Sequence, residues 1–188
     1  MGTTQSTKTS FPFDAVKATE VAAQFVLLAG GQINIMKLVK LIYLLDRESI
    51  ARRGVPVVGG VYFSMVNGPV TSEVLDLINA GSLYHQPTNW SQFISDRQNH
   101  EVELSTQPGV EHLSEFELEL LAGLFAQFEK ADQWALSDFC HQYCGEWLPL
   151  EQGREPISVA KLAEEVGRDP LEVIENATEQ NFLVETLK

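Results

Sequence analysis

The alternation of apolar and polar positions predicts a series of amphipathic helices interrupted by one extended segment. The clearest helix lies between Asn34, a good N-cap, and Gly54, a good C-terminal stop. Its first half is apolar around most of the circumference, so we expect it at the centre of the core. Lys37, Lys40 and Tyr43 interrupt this apolar surface at three-residue spacing and therefore share one face of the helix.

Further helices are predicted on both sides of this central helix. Asp14 is suited to cap a helix that runs to about residue 29. Ser114, with Glu117 three residues later, forms the capping-box pattern of another helix. The remaining predicted helices cover residues 72–80, residues 132–143 and, as a pair around a turn at 167–170, residues 157–177.

The segment that follows Gly54 has a different character. Residues 55–66 are rich in β-branched and aromatic side chains and contain glycines, which predicts a strand or a small hairpin. Asn67, Gly68 and Pro69 indicate a turn, and residues 100–104 alternate as a short strand available to pair with this segment. The predicted fold class is mainly α (α+β): a compact helical domain with a small β-hairpin or sheet between the central helix and the following helices.

The chain length predicts one domain with a short appendage. The chain has 188 residues, and domains usually contain about 100–200. We expect a disordered lead over residues 1–11, one domain over residues 12–150 and a helical extension over residues 151–188. The first ten residues are polar, and no apolar run reaches the ~20 residues that span a bilayer. We therefore expect a cytoplasmic protein without a membrane partner.

The charge balance bears on the choice of partner. The chain carries 26 acidic and 13 basic side chains, a net charge of −13. Binding to nucleic acid depends on Lys and Arg at phosphates, so we expect no nucleic-acid partner. Residues 157–177 match the spacing of a helix-turn-helix, but acidic side chains surround the turn, which favours packing on the domain or on a partner. The net negative charge instead favours a basic protein partner. Alternatively, the charge only keeps the protein soluble.

The candidates for chemistry are few. His141 lies between Cys140 and Cys144, but a zinc site needs three or four ligands at suitable spacing and no paired histidine motif exists. We expect buried reduced thiols and a structural, hydrogen-bonded His141 near Trp147. The interpretation is a non-enzymatic protein with no catalytic residue, cofactor or metal. A metal-dependent hydrolase built on His141 and the cysteines is the competing class.

One stretch of the chain is similar to a known signature. Residues 36–78 read MKLVKLIYLLDRESIARRGVPVVGGVYFSMVNGPVTSEVLDLI and resemble the signature of Panacea domains, which occur in SocA-like antitoxins and phage-associated proteins. The positions that carry the resemblance are Lys37, Lys40, Tyr43, Asp46, Arg47, Gly54, Gly59, Tyr62, Gly68, Pro69 and Val70.

A second part of the resemblance lies later in the chain. A late helix with Leu136, Ser137 and His141 precedes Trp147. The chain departs from the family at Glu146, where relatives often have a proline or a small residue before the tryptophan.

The resemblance implies a function in protein binding. Panacea proteins are antitoxins that neutralise a toxin, encoded by a neighbouring gene, through direct contact, and some relatives deliver the toxin to a protease as adaptors. A transcription regulator that uses residues 157–177 is a further alternative. Arg47, Tyr62, Asn67 and Trp147 are the candidate binding residues, because aromatic residues and arginine dominate interfaces. The signature residues could instead stabilise the fold while partner contacts lie elsewhere.

The two lysines of the central helix also leave alternatives open. Lys37 and Lys40 stand on an otherwise apolar helix. They could form a basic and aromatic face that contacts a partner or an intramolecular acid. Alternatively, their stems cover the core while both ammonium groups reach water.

Overall fold

The computed structural model describes residues 9–80 and 90–187. Its composition of elements confirms the mainly α (α+β) fold class. In chain order the elements are α1 (Ala15–Leu28), β1 (Gln32–Asn34), α2 (Ile35–Arg53), β2 (Tyr62–Met65), β3 (Gly68–Thr71), α3 (Ser72–Ala80), α4 (Trp90–Phe93), β4 (Glu101–Glu103), α5 (Glu115–Phe128), α6 (Gln133–Tyr143), β5 (Arg154–Ile157), α7 (Val159–Glu165) and α8 (Pro170–Thr186).

Helix α2 is the centre of the fold, as its apolar circumference predicts. The Asn34 side chain accepts hydrogen bonds from the first backbone N–H groups, and Gly54 ends the helix in the left-handed conformation at φ 75°. Helices α1, α3, α5, α6 and α7 all contact α2. The apolar positions of its first half are therefore buried from several directions, including Leu38, Leu41, Ile42 and Leu45.

The local capping signals elsewhere are confirmed. Asp14 caps α1, and Ser114 and Glu117 form the capping box of α5. Glu117 also accepts hydrogen bonds from the side chains of Lys17 and Arg53, so it joins α5 to α1 and α2. The helix predicted over residues 72–80 is α3, and the glycine at position 81, which the sequence offers as its stop, lies outside the described residues.

The strands form two small sheets, and their pairing corrects two predictions. Strands β2 and β3 form a hairpin whose turn is Val66 and Asn67, so Gly68 and Pro69 lie in β3 instead of in the turn. Strand β4 pairs with β1 and not with the segment at 55–66, because Ile33 and Val102 oppose each other in the core. The outer edge of β2 is occupied by β5, in the order β3-β2-β5.

Residues 154–187 pack on the same core. Helices α7 and α8 contact each other, and their apolar positions belong to the core cluster. Helix α8 continues to Thr186, beyond the end expected at residue 177. Phe11, in the segment expected to be a disordered lead, is buried and forms a β-bridge with Gly60. The buried apolar residues of α7 and α8 are Val159, Leu162, Ala163, Val173 and Ala177.

Across the two described ranges, no helix combines the length and apolar character that crossing a lipid bilayer requires.

Candidate functional site

A buried carboxylate on α2 organises the segment before the hairpin. Asp46 accepts hydrogen bonds from the backbone N–H groups of Val57 (2.8 Å), Val58 (2.7 Å) and Gly59 (3.0 Å). It also accepts one from the Tyr62 hydroxyl at 2.9 Å. We call these five residues the Asp46 cluster. Because the carboxylate satisfies three backbone donors at once, it fixes the path of a segment that has no helix or strand of its own.

The electrostatics of this cluster reflect its burial. Burial raises the pKa of Asp46 to about 6, although its four hydrogen bonds act in the opposite direction. Burial and the neighbouring Asp46 carboxylate also raise the pKa of Tyr62. Gly59 adopts φ +75°, and a Cβ there would lie 2.3 Å from the Pro12 carbonyl oxygen. The signature glycine is therefore required by close backbone approach.

A second buried carboxylate joins α2 to the segment after α6. Glu146 accepts hydrogen bonds from the Tyr43 hydroxyl (2.5 Å) and from Arg47 Nε (2.7 Å). Arg47 also donates to the backbone carbonyl of Tyr143 at 3.2 Å. We call Tyr43, Arg47 and Glu146 the Glu146 cluster. The rings of Tyr43 and Tyr62 meet edge to face at 5.7 Å, so the two clusters are in contact.

Glu146 is the buried residue of this site that the sequence interpretation missed. It stands out there only as a departure from the family pattern before Trp147. A signal was present nevertheless: Tyr43 and Arg47 lie four residues apart on a largely apolar helix and so share a face. A buried hydroxyl and a guanidinium on that face need an acceptor. The partner lies about a hundred residues away along the chain, so spacing could not identify it.

The two lysines of α2 have different environments. Lys40 is buried, and its Nζ donates to the Pro69 carbonyl at 2.9 Å. Burial lowers the pKa of Lys40 to about 8. The interpretation in which its ammonium reaches water is therefore wrong. Lys37 Nζ donates to the carbonyls of Glu129 (3.0 Å) and Ala131 (2.6 Å), just beyond α5.

The hairpin is further bonded to α6 and to the segment that follows it. The Ser137 hydroxyl donates to the Asn67 carbonyl at 2.9 Å, and Trp147 Nε1 donates to the Met65 carbonyl at 2.8 Å. The ring of His141 stacks on Trp147, with centroids 4.0 Å apart and planes at 16°. The expected position of His141 near Trp147 is confirmed, but the contact between them is ring stacking, whereas the sequence predicted a hydrogen-bonded histidine.

The structure therefore gathers most signature residues around one hairpin. Lys40, Asp46, Tyr62 and Trp147 all contact the hairpin or belong to it, while Tyr43 and Arg47 bond to Glu146 beside it. Tyr62 is only 1% exposed, so it offers almost no surface to a partner. These contacts support the alternative in which the signature residues stabilise the fold.

The two cysteines and His141 differ in their exposure to solvent. Cys140 and Cys144 are buried free thiols, whereas His141 is exposed. Among residues 9–80 and 90–187, no group of three or more His, Cys, Asp or Glu side chains is placed to hold a metal ion.

An open apolar cavity of about 790 Å³ lies beside the hairpin. It is bounded by the N-terminal half of α2, by the hairpin, by α3, by the start of α6 and by residues close to β4 and β5. We call it the hairpin groove. Its lining residues are Asn34, Ile35, Met36, Val39, Lys40, Met65, Val66, Asn67, Val70, Leu75, Arg97, His100, Gln133, Trp134, Gly153 and Arg154.

One of three comparisons with known proteins gives a match, and it covers most residues of this site. Searches of curated proteins and of solved structures gave no significant match. The sequence profile described as "Antitoxin SocA-like, Panacea domain" matches residues 38–148, more than half of the chain. That range includes most of α2, the hairpin and α6, together with both buried clusters. The chain therefore belongs to the SocA-like antitoxin family, as a protein with a Panacea domain.

Proposed function

We propose that this protein is the antitoxin of a toxin–antitoxin pair and neutralises its toxin by direct protein–protein binding. The observation that carries the proposal is the family match across residues 38–148, within which the signature side chains form one continuous set of intramolecular contacts. The toxin is a protein encoded by a neighbouring gene. Binding occludes or remodels the toxin without a chemical reaction.

The state of the buried polar groups supports binding over catalysis. Asp46 and Glu146 each accept several hydrogen bonds from the protein itself, and Lys40 donates to a backbone carbonyl. Catalytic acids, bases and nucleophiles need access to a substrate atom. Groups that are buried and bonded in this way are suited to fix a binding surface in one conformation.

The contacts of helices α7 and α8 do not favour the alternative in which the protein is a transcription regulator. The helices of the possible helix-turn-helix bury Leu162 and Val173 in the core cluster. Arg168, the basic residue at their turn, forms an ion pair with Glu172. Asn176 donates to the Gly54 carbonyl at the end of α2. These contacts favour the interpretation in which the pair packs on the domain.

The proposal is tested by growth rescue followed by titration. The toxic reading frame next to the gene is expressed with and without this protein, and we expect growth to recover only when both are present. The activity of the purified toxin is then measured at increasing concentrations of the antitoxin. A binding antitoxin reaches complete inhibition near an equimolar ratio. Neutralisation of a large molar excess of toxin would instead indicate catalysis and refute the binding mechanism.

A protease-dependent mechanism needs a separate measurement. The amount of toxin is followed by immunoblot in strains with and without the major cytoplasmic proteases. Direct neutralisation predicts an unchanged amount of toxin and rescue in both strains. Loss of growth rescue in the strain that lacks the proteases would instead establish that the protein is an adaptor.

A further inference from the structure

We propose that the hairpin groove binds an amphipathic segment of the partner protein, with apolar side chains on the groove floor and carboxylates at the groove rim. This rests on the proposed function, since it identifies the chemistry of the partner's contact segment. The occupant to which we commit is a partner segment that is both apolar and acidic.

The floor of the groove is suited to apolar side chains. Ile35, Met36 and Val39 line it from α2, and Met65 and Val70 line it from the hairpin. A volume of about 790 Å³ accommodates several side chains from one face of a helix or strand. The two methionines are flexible and polarizable, so the floor can adapt to the occupant.

The rim carries exposed apolar side chains that a lone domain has little reason to present. Trp134, at the start of α6, is 56% exposed, and Val66, at the hairpin turn, is 43% exposed. Both line the same groove. Exposed tryptophans next to a concave apolar surface are typical of binding sites, because they bury a large area with little loss of side-chain entropy.

The charge of the groove differs from the charge of the whole chain. The chain has twice as many acidic as basic side chains, yet none of the groove's lining residues within 9–80 and 90–187 is Asp or Glu. Arg97, His100 and Arg154 line it and are exposed. Arg97 donates to the side-chain oxygen of Asn79, and Arg154 lies over the Phe63 ring at 4.5 Å. Both of these contacts, made within the described part of the chain, are with neutral groups, so the two positive charges are available to a carboxylate.

The groove therefore refines the expectation of a basic partner. The net charge of −13 attracts a basic protein over a distance, whereas the groove selects an acidic segment at contact. A toxin that is basic overall and carries one acidic, apolar segment would meet both requirements: long-range attraction to the acidic chain and selective contact in the groove.

The chain offers a direct probe of groove occupancy. Only three methionines are present in the sequence, and two of them, Met36 and Met65, line the groove. The probes are two helical peptides with the same leucine face, one with glutamate and the other with lysine at the remaining positions. Methyl-¹³C methionine spectra of the full chain are recorded during titration with each peptide.

We expect the glutamate peptide to shift the Met36 and Met65 methyl signals and to bind about tenfold or more tightly than the lysine peptide. Arg154→Glu should abolish that preference. Arg52→Glu is the matched control, because Arg52 is exposed on α2 and does not line the groove. Equal affinity for the two peptides, or unchanged Met36 and Met65 signals, overturns the proposal.

Two further outcomes are distinguishable. The exposed tip of α8 is itself apolar and acidic, with Phe182, Leu183 and Leu187 near Glu185. If the Met36 and Met65 signals change with protein concentration and light scattering reports a dimer, a second copy occupies the groove and the proposal is wrong. If the peptides behave as expected but no toxin is neutralised, the groove assignment stands and the antitoxin function fails.

Discussion

The ion pair between Arg47 and Glu146 gives the sharpest test of how the signature residues stabilise this protein. Its Nε–Oε1 distance is 2.7 Å, with side chains 20% and 0% exposed. The pair Arg52–Glu48 on the same helix has the same 2.7 Å distance but side chains 57% and 40% exposed. The two pairs share residue types and the Nε–Oε1 distance. They differ in burial, in a second bond from Arg47 Nη2 to Glu146 Oε2 at 3.3 Å, and in the i,i+4 spacing of Glu48 and Arg52 within one helix. A double-mutant cycle with Arg→Met and Glu→Gln on each pair measures the coupling that results from these differences.

The expected magnitudes follow from the surroundings of each pair. Two charges about 4 Å apart interact by about 4 kcal/mol at an effective dielectric constant near 20 and by about 1 kcal/mol in water. Because Arg47 retains some contact with solvent, we expect a coupling of about 2 kcal/mol for Arg47–Glu146. The exposed pair should couple by less than about 0.5 kcal/mol. Glu146→Gln alone should cost about 3 kcal/mol, since it also weakens the hydrogen bond from Tyr43.

The free energy of unfolding is measured by urea denaturation, followed by far-UV circular dichroism, for the four proteins of each cycle. Similar slopes with denaturant are required for all variants, so that differences in midpoint report stability. Couplings that are equal within error for the two pairs would refute the reasoning. In that case the burial of Glu146 would not strengthen its interaction with Arg47.

Three further predictions concern single positions. Burial raises the pKa of Glu117, but its hydrogen bonds outweigh burial and lower it from 4.5 to about 2. The ionised Glu117 carboxylate therefore stabilises the fold fully above pH 4.5, and this stabilisation is lost as the pH falls toward 2. Urea unfolding of the native sequence should show a loss of about 3 kcal/mol over this range that Glu117→Gln lacks. Identical dependence of unfolding free energy on pH for the two proteins would contradict this. The pKa of Lys40 is lowered from 10.5 to about 8, so between these values the unfolded chain binds more protons. Between pH 8 and 10.5 the free energy of unfolding should therefore rise by about 3 kcal/mol relative to that of Lys40→Met. A difference in unfolding free energy between the two proteins that does not change with pH would exclude this. A Cβ at Gly68 (φ +104°) would lie 3.1 Å from Lys40 Cε, whereas one at Gly153 (φ +76°) meets nothing within 4 Å. Gly68→Ala should therefore lower the melting temperature more than Gly153→Ala, by the equivalent of about 1 kcal/mol; equal losses would show that the contact with Lys40 is unimportant.

The helices were predictable because their signals are local. Asn34 and Gly54 delimit α2 in the structure as they do in the sequence. Ser114 and Glu117 form the capping box that their spacing predicts. Each of these signals depends on residues within one or two helical turns, so no knowledge of the tertiary structure is needed.

The site was less predictable because its contacts are distant along the chain. The partner of Arg47 is Glu146, and the acceptor for Lys40 is the carbonyl of Pro69. A periodic pattern shows which helix face a side chain occupies, but not what packs there. For the same reason, the pairing of β4 with β1 was missed.

The position of β5 has a consequence for the order in which the chain can fold. Strand β2 pairs on one side with β3, its neighbour along the chain, and on the other with β5, where Tyr62 opposes Ile157. During synthesis at about 5–20 residues per second, the hairpin is complete roughly 4–17 s before β5 emerges. In that interval β2 has an edge of unpaired N–H and C=O groups, which is a template for association with other strands. A fragment limited to the family match at residues 38–148 would keep this edge permanently, so we expect it to aggregate where the full chain does not.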